Sequence, residues 1–199
     1  MKKITIVSST LAFLIAVSVI ACNSSSSTST NKEGITEIAA TVSQDSLISR
    51  GRYLVTIMGC NDCHSPKIMG PHGPMIDTAR MLSGHPSDMP VASAPADAVK
   101  SWVLFNPTLT AFVGPWGTSF AANLTSDESG IGNWSEGQFF KAIREGKYKG
   151  MDNTRPLLPP MPWEMYRNAT DEDLRSIFAY LKSTPPVKNN VPSQIPPVN

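Results

Sequence analysis

Residues 59–67 read GCNDCHSPK. Two thiols, Cys60 and Cys63, stand three positions apart, and the imidazole of His64 follows the second at once. The chain has one other cysteine, Cys22, and two other histidines, His72 and His85. A structural zinc site wants four Cys or His ligands, usually as two pairs; no second cysteine pair exists here. A dithiol redox motif would sit in a strand–helix–strand context, and no such alternation surrounds this one. The remaining chemistry is covalent haem attachment, C-x-x-C-H. Each thiol adds across one vinyl group to form a thioether. The following His is then held beneath the iron as one axial ligand.

A second axial ligand must come from elsewhere. The chain carries nine methionines, and a thioether opposite an imidazole favours reduced iron and raises the potential. Most Met side chains are soft core filler. Met161, in RPLLPPMPWEMY, is different: Pro159, Pro160 and Pro162 fix φ around it and remove backbone donors. A rigid frame around a flexible side chain serves to aim it, so Met161 is the expected ligand. The rivals are His72 in GPHGP and His85 in SGHP, which read as solvated loop residues.

Three helices must position these groups. The first, SQDSLISRGRYLVTIMG, starts near Ser43 or Asp45 as N-cap. It places Leu47, Gly51, Leu54, Val55 and Met58 on one face and runs into Cys60. The second, WSEGQFFKAIREGKYKG, opens on a capping box of Ser135 and Gln138 and stops at Gly146. The third, TDEDLRSIFAYLKSTPP, has Thr170 as N-cap and three acids in its first turn. Its Leu174, Ile177, Phe178 and Leu181 follow helical spacing. Strand-like alternation is scarce and 17 prolines punctuate the rest. An all-α fold follows as the expectation, with few helices, long Pro/Gly-rich loops and a long insertion, 65–133, after the attachment motif.

The N-terminus explains the odd cysteine. Lys2 and Lys3, an apolar run from Leu11 to Ala21 and then Cys22 have the layout of an export signal. VIAC, residues 19–22, resembles a lipobox, which makes residues 1–21 a lipoprotein signal peptide and Cys22 the lipidated first residue. The Ser/Thr-rich stretch that follows, within 22–43, reads as a flexible tether. A single domain is expected over 44–185 and an extended Pro-rich tail over 186–199. The formal charge is +1, without a basic stripe or run, which argues against nucleic acid as a partner.

The motifs together resemble a known family. RGRYLVTIMGCNDCHSPK, RMLSGHP, GPWGTSFAANLTSDESGIGNWSEGQFFKAIREGK, RPLLPPMPW and ATDEDLRSIFAYLKSTPPV are similar to stretches of bacterial exported c-type cytochromes. Relatives include the haem domains of alcohol and gluconate dehydrogenase cytochrome subunits. Helices first and last, with the attachment motif ending the first, resemble the order of a class I cytochrome c. The resemblance implies that fold, one covalent haem c held by Cys60 and Cys63, and iron ligated by His64 and Met161. The dehydrogenase subunits carry several C-x-x-C-H sites and this chain carries one, so membership of such a complex does not follow from the motifs.

Secondary residues come with the same reading. Arg155, before the Met loop, could pair with a haem propionate through a charge-assisted bond. Asn123, Trp134 and Trp163 could bond propionates or wall the haem, with ordinary packing as the alternative. Tyr180 is implied to touch the first helix. The expected function is a lipid-anchored periplasmic or cell-envelope monohaem carrier of single electrons between redox proteins. The alternatives are an electron-transfer subunit of a membrane-associated dehydrogenase and a haem-based small-ligand sensor. No substrate chemistry is expected, since six-coordinate iron leaves no open position.

Overall fold

The structure, a computed structural model, describes residues 43–197. The expected leader, the Cys22 lipidation site and nearly all of the expected tether lie outside the described residues.

Local chemistry sets the helix ends. Helix α1 spans Gln44–Ile57, and the Ser43 hydroxyl accepts from the Ser46 N–H at 3.2 Å. Gly59 follows with φ of 69°, a left-handed turn that glycine adopts cheaply, and redirects the chain into α2, Cys60–His64. Helix α3, Glu136–Glu145, carries the capping box of Ser135 and Gln138 and ends at Gly146 with φ of 64°. A four-residue helix α4, Trp163–Tyr166, follows the Met161 loop. Helix α5, Asp171–Ser183, is capped by Thr170.

Helices α1 and α5 cross closely because Gly51 has no side chain. A Cβ there would lie 1.9 Å from the Ser176 carbonyl oxygen and 2.7 Å from the Tyr180 Cβ. Around that crossing, Leu54, Val55, Leu82, Ile131, Phe139, Leu174, Ile177 and Leu181 form one buried cluster. Phe139 of α3 stacks on Phe178 of α5, with centroids 5.3 Å apart. Burying such side chains is worth about 1.5–3 kcal/mol each, so this cluster dominates the fold and fixes the two helices that flank the site. Among the described residues no helix is long and apolar enough to cross a membrane.

The all-α expectation is overturned. Strand β1, Lys67–Gly70, pairs antiparallel with β2, Gly73–Ile76. Strands β3, Leu104–Phe105, β4, Ala111–Gly114, and β5, Gly117–Phe120, form a second antiparallel sheet in the order β3-β4-β5. The chain is mixed α and β. Two G-P-x-G tetrapeptides build the hairpins, GPHG at 70–73 and GPWG at 114–117. In each, proline presets the second turn position, and the closing glycine takes positive φ, 117° at Gly73 and 90° at Gly117. Strands of two to four residues are too short for alternation to show in sequence.

The segment 65–133 is therefore built rather than looped. Leu82 to Pro86 is buried and wedges between the attachment helix and the stretch after β5. The Gly84 N–H donates to the His64 carbonyl at 2.8 Å, the His85 N–H to the Ala121 carbonyl at 2.9 Å, and the Leu124 N–H to the Leu82 carbonyl at 2.8 Å. The C-terminal stretch is extended but stitched down. The Asn189 amide donates to the Ser83 and His85 carbonyls at 2.7 and 2.9 Å, and Ile195 exchanges backbone bonds with Thr118 of β5.

Candidate functional site

A cavity of about 330 Å³ opens between α2 and the Met161 loop, within the range of small-ligand pockets, about 300–1,000 Å³. Cys60, Cys63, His64 and Met161 all line it. Ile131, Phe139, Ile143 and Leu157 are among its apolar walls.

The attachment helix is one turn long and cannot hold itself. The Lys67 ammonium braces it from its C-terminal side, donating to the carbonyls of Asn61 at 3.0 Å, Asp62 at 2.6 Å and Ser65 at 2.6 Å. The buried Ser65 hydroxyl donates to the Asn61 side chain at 2.8 Å and accepts from the Leu82 N–H at 2.8 Å. Cys60 and Cys63 are free thiols. Burial pushes the Cys60 thiol up to about 11 and raises that of Cys63, so both are protonated at neutral pH.

His64 is oriented by one bond. Its Nδ1 lies 2.7 Å from the Ala122 carbonyl oxygen. A carbonyl only accepts, so Nδ1 carries the proton and Nε2 keeps its lone pair. Burial lowers the pKa of the ring, which keeps it neutral. Such an imidazole is prepared as a metal ligand, its tautomer set by the bond at the other nitrogen.

The Met161 loop is held from two directions. The Met161 N–H donates to the Leu158 carbonyl at 3.2 Å. The Ser119 hydroxyl of β5 donates to the Pro159 carbonyl at 2.7 Å. Five residues beyond Met161, the Tyr166 hydroxyl donates to the Met58 carbonyl at 2.5 Å.

The other expected residues divide. Arg155, Asn123 and Trp134 line the cavity. Arg155 lies over the Tyr148 ring at 4.0 Å and donates to the Pro156 carbonyl at 2.9 Å. It has no carboxylate partner among the described residues. Asn123 is spent on structure: its amide nitrogen donates to the Val187 carbonyl at 2.8 Å, and its oxygen accepts from the Thr125 N–H at 2.9 Å. Trp163 is not among the cavity-lining residues; its ring packs on Gly146, where a Cβ would lie 2.4 Å away. His72 is exposed on the β1–β2 turn. His85 is not a solvated loop residue, as its sequence context suggested. It is 0% exposed, with Nδ1 2.9 Å from the Thr110 hydroxyl and Nε2 3.0 Å from the Met89 carbonyl. Both nitrogens are thus engaged away from the cavity.

Lys67, Ser119 and Tyr166 had no signal in sequence. Each acts through a backbone carbonyl, and a carbonyl acceptor leaves no mark on residue type.

The residues present fit a porphyrin. Two thiols and a lone-pair nitrogen share one helical turn, Met161 lines the same cavity, most of its walls are apolar, and Arg155, which also lines it, has no carboxylate partner among the described residues. A zinc set does not assemble: among the described residues no group of three or more His, Cys, Asp and Glu side chains converges.

No family model matches the chain. It is 30% identical over 157 residues to the gluconate 2-dehydrogenase cytochrome c subunit of Pantoea cypripedii, covering 76% of this chain and 27% of that protein. It is 37% identical over 136 residues to the fructose dehydrogenase cytochrome subunit of Gluconobacter japonicus, covering 67% of this chain and 20% of that protein. A nicotinate dehydrogenase polypeptide of Pseudomonas putida is 40% identical over 80 residues, 40% of this chain and 6% of that protein. The chain thus spans about a quarter or less of the length of these relatives. The resemblance drawn from the motifs is borne out: over most of its length the chain is homologous to cytochrome c subunits of gluconate, fructose and alcohol dehydrogenases.

Proposed function

From this homology to cytochrome c subunits, we propose that the chain is a one-electron relay of a dehydrogenase system. It holds a single covalent haem c and works at the outer face of a bacterial membrane. The haem, when bound, supplies reversible exchange of one electron between the ferrous and ferric states of its iron. The observation that carries the reading is the opening of the C-x-x-C-H helix and the proline-framed Met161 onto one apolar cavity.

Each part of the site has a task in that reading. Cys60 and Cys63 would hold the porphyrin through two thioethers, each S–H giving its sulfur to one carbon of a vinyl C=C and its hydrogen to the other, with no net oxidation. His64 would hold the iron through Nε2, while the Ala122 carbonyl keeps the ring proton on Nδ1. Met161 would supply a soft sulfur ligand, a chemistry that favours the reduced state. Arg155 pairs with a propionate. The apolar walls exclude water, which limits charge stabilisation of the oxidised form.

Dehydrogenase cytochrome subunits among the relatives support electron transfer from a dehydrogenase over free carriage between unrelated proteins. A lipid on Cys22 and the tether behind it would keep the relay at the membrane within reach of that partner.

The test is spectroscopic and mass-based. The mature protein should carry the mass of one haem beyond its polypeptide and the lipid on Cys22, and its ferric form should show the far-red sulfur-to-iron band. Met161→Ala should abolish the band and keep the added mass. A polypeptide without porphyrin, or a band that persists in the variant, would refute the assignment.

A further inference from the structure

Three prolines strip residues 159–162 of anchors to other elements; the nearest upstream is the Leu157 N–H, which donates to the Gly146 carbonyl at 2.7 Å. Pro159, Pro160 and Pro162 have no N–H, so what this stretch offers the body is carbonyl oxygens. The Met161 N–H closes on the Leu158 carbonyl, which shapes the turn but does not place it against the rest of the molecule. Placement needs a donor from another element.

Ser119 is that donor. Its hydroxyl reaches the Pro159 carbonyl at 2.7 Å, and the residue is only 7% exposed. A hydroxyl can rotate and can both donate and accept, so something must aim it. The Trp116 indole Nε1, a donor only, lies 3.2 Å from the Ser119 oxygen. With that lone pair taken, the Ser119 proton turns to Pro159. The platform is rigid. Ser119 is paired with Phe112 of β4, and its neighbour Thr118 exchanges backbone bonds with Ile195 on the other edge. The Trp116 ring lies over Gly114, where a Cβ would meet it at 2.6 Å.

We propose that Ser119, oriented by Trp116, is the positioning residue for the Met161 sulfur, so that the three-stranded sheet sets how firmly the thioether stays on the iron. The proposal rests on Met161 as axial ligand. Without the bond, the prolines keep the loop stiff, but its carbonyl is no longer tied to β5. The sulfur then yields more readily to a competing ligand.

The experiment uses the full-length haem-loaded protein in its ferric form. Imidazole is titrated in, and loss of the far-red sulfur-to-iron band reports displacement of Met161. Ser119→Ala should keep the covalent porphyrin and bind imidazole about tenfold more tightly, the weight of one lost buried hydrogen bond. Trp116→Phe should shift the affinity in the same direction by less and serves if Ser119→Ala does not accumulate. Ser119→Thr should restore it. Ser126→Ala is the control, because the Ser126 hydroxyl also donates to a backbone carbonyl, that of Thr184 at 2.6 Å, away from the loop. An imidazole affinity in Ser119→Ala no tighter than in the control overturns the positioning role alone. Absence of the band from the unaltered protein overturns the axial assignment and the positioning role with it.

Discussion

The Tyr166 hydroxyl donates to the Met58 carbonyl at 2.5 Å. Met58 is the C-cap of α1, two before Cys60, and Tyr166 ends α4, five after Met161. One hydrogen bond thus ties the attachment side of the cavity to the methionine side across 108 positions of chain. Burial is the main cause that raises the phenol's pKa, so it stays a donor through neutral pH.

Tyr166→Phe keeps the ring and removes the donor. It should lower the free energy of unfolding by about 1–2 kcal/mol, the cost of leaving a part-buried carbonyl unpaired. Guanidinium titration of the haem-loaded protein reads this. An unchanged midpoint and slope would mean that the bond contributes nothing.

Gly51→Ala reverses the usual helix rule. In an exposed helix interior, alanine is favoured over glycine by up to about 1 kcal/mol. Here the new methyl would sit 1.9 Å from the Ser176 carbonyl oxygen. That is backbone, which cannot swing aside, so α1 and α5 must separate. A loss of about 1–3 kcal/mol is expected, read by thermal unfolding. A stabilised variant would show that the two helices do not cross at Gly51.

The Arg50–Asp173 pair gives a pH signature. The Arg50 guanidinium donates to the Asp173 carboxylate at 2.9 and 3.1 Å, joining α1 to α5. That bond, the largest of its causes, holds the Asp173 pKa below the usual 3.8. A depressed carboxylate contributes stability that is present above its unfolded pKa and lost as pH falls through its folded one. Both side chains are partly exposed, so the contribution is under about 1 kcal/mol. The unfolding free energies of wild type and Asp173→Asn should differ by that much at pH 7 and converge below pH 3.8. A gap that widened in acid would reverse the sign and rule the pair out.

Much of the helical frame was legible because its signals are local. Ser43, Ser135 and Thr170 cap within three residues of themselves, and a four-residue window contains the whole device. The hairpins were not legible. GPHG and GPWG read as loop punctuation because the strands beside them are shorter than the window that alternation needs. His85 reads as a loop residue because, beyond the nearby Met89 carbonyl, its burial comes from Thr110, 25 positions on, and from the C-terminal stretch at Asn189, both far outside its local sequence window. For Trp163, next but one to Met161, the sequence leaves a cavity wall and ordinary packing both open, and its helix turns the ring onto Gly146.

Residue types and their spacing are enough to name the atoms that can do the chemistry: two thiols and an imidazole within one helical turn, and a sulfur framed by prolines. Those are properties of residue type and short spacing, and they survive without a fold. What those atoms face depends on long-range packing. The proton on His64 is assigned by the carbonyl of Ala122, the Met161 loop is moored by Ser119, and the two sides of the cavity are joined by Tyr166. Each of those links runs through a backbone oxygen far along the chain from its partner. A carbonyl is common to every residue, so its role is set by where packing brings it and by nothing in its own side chain.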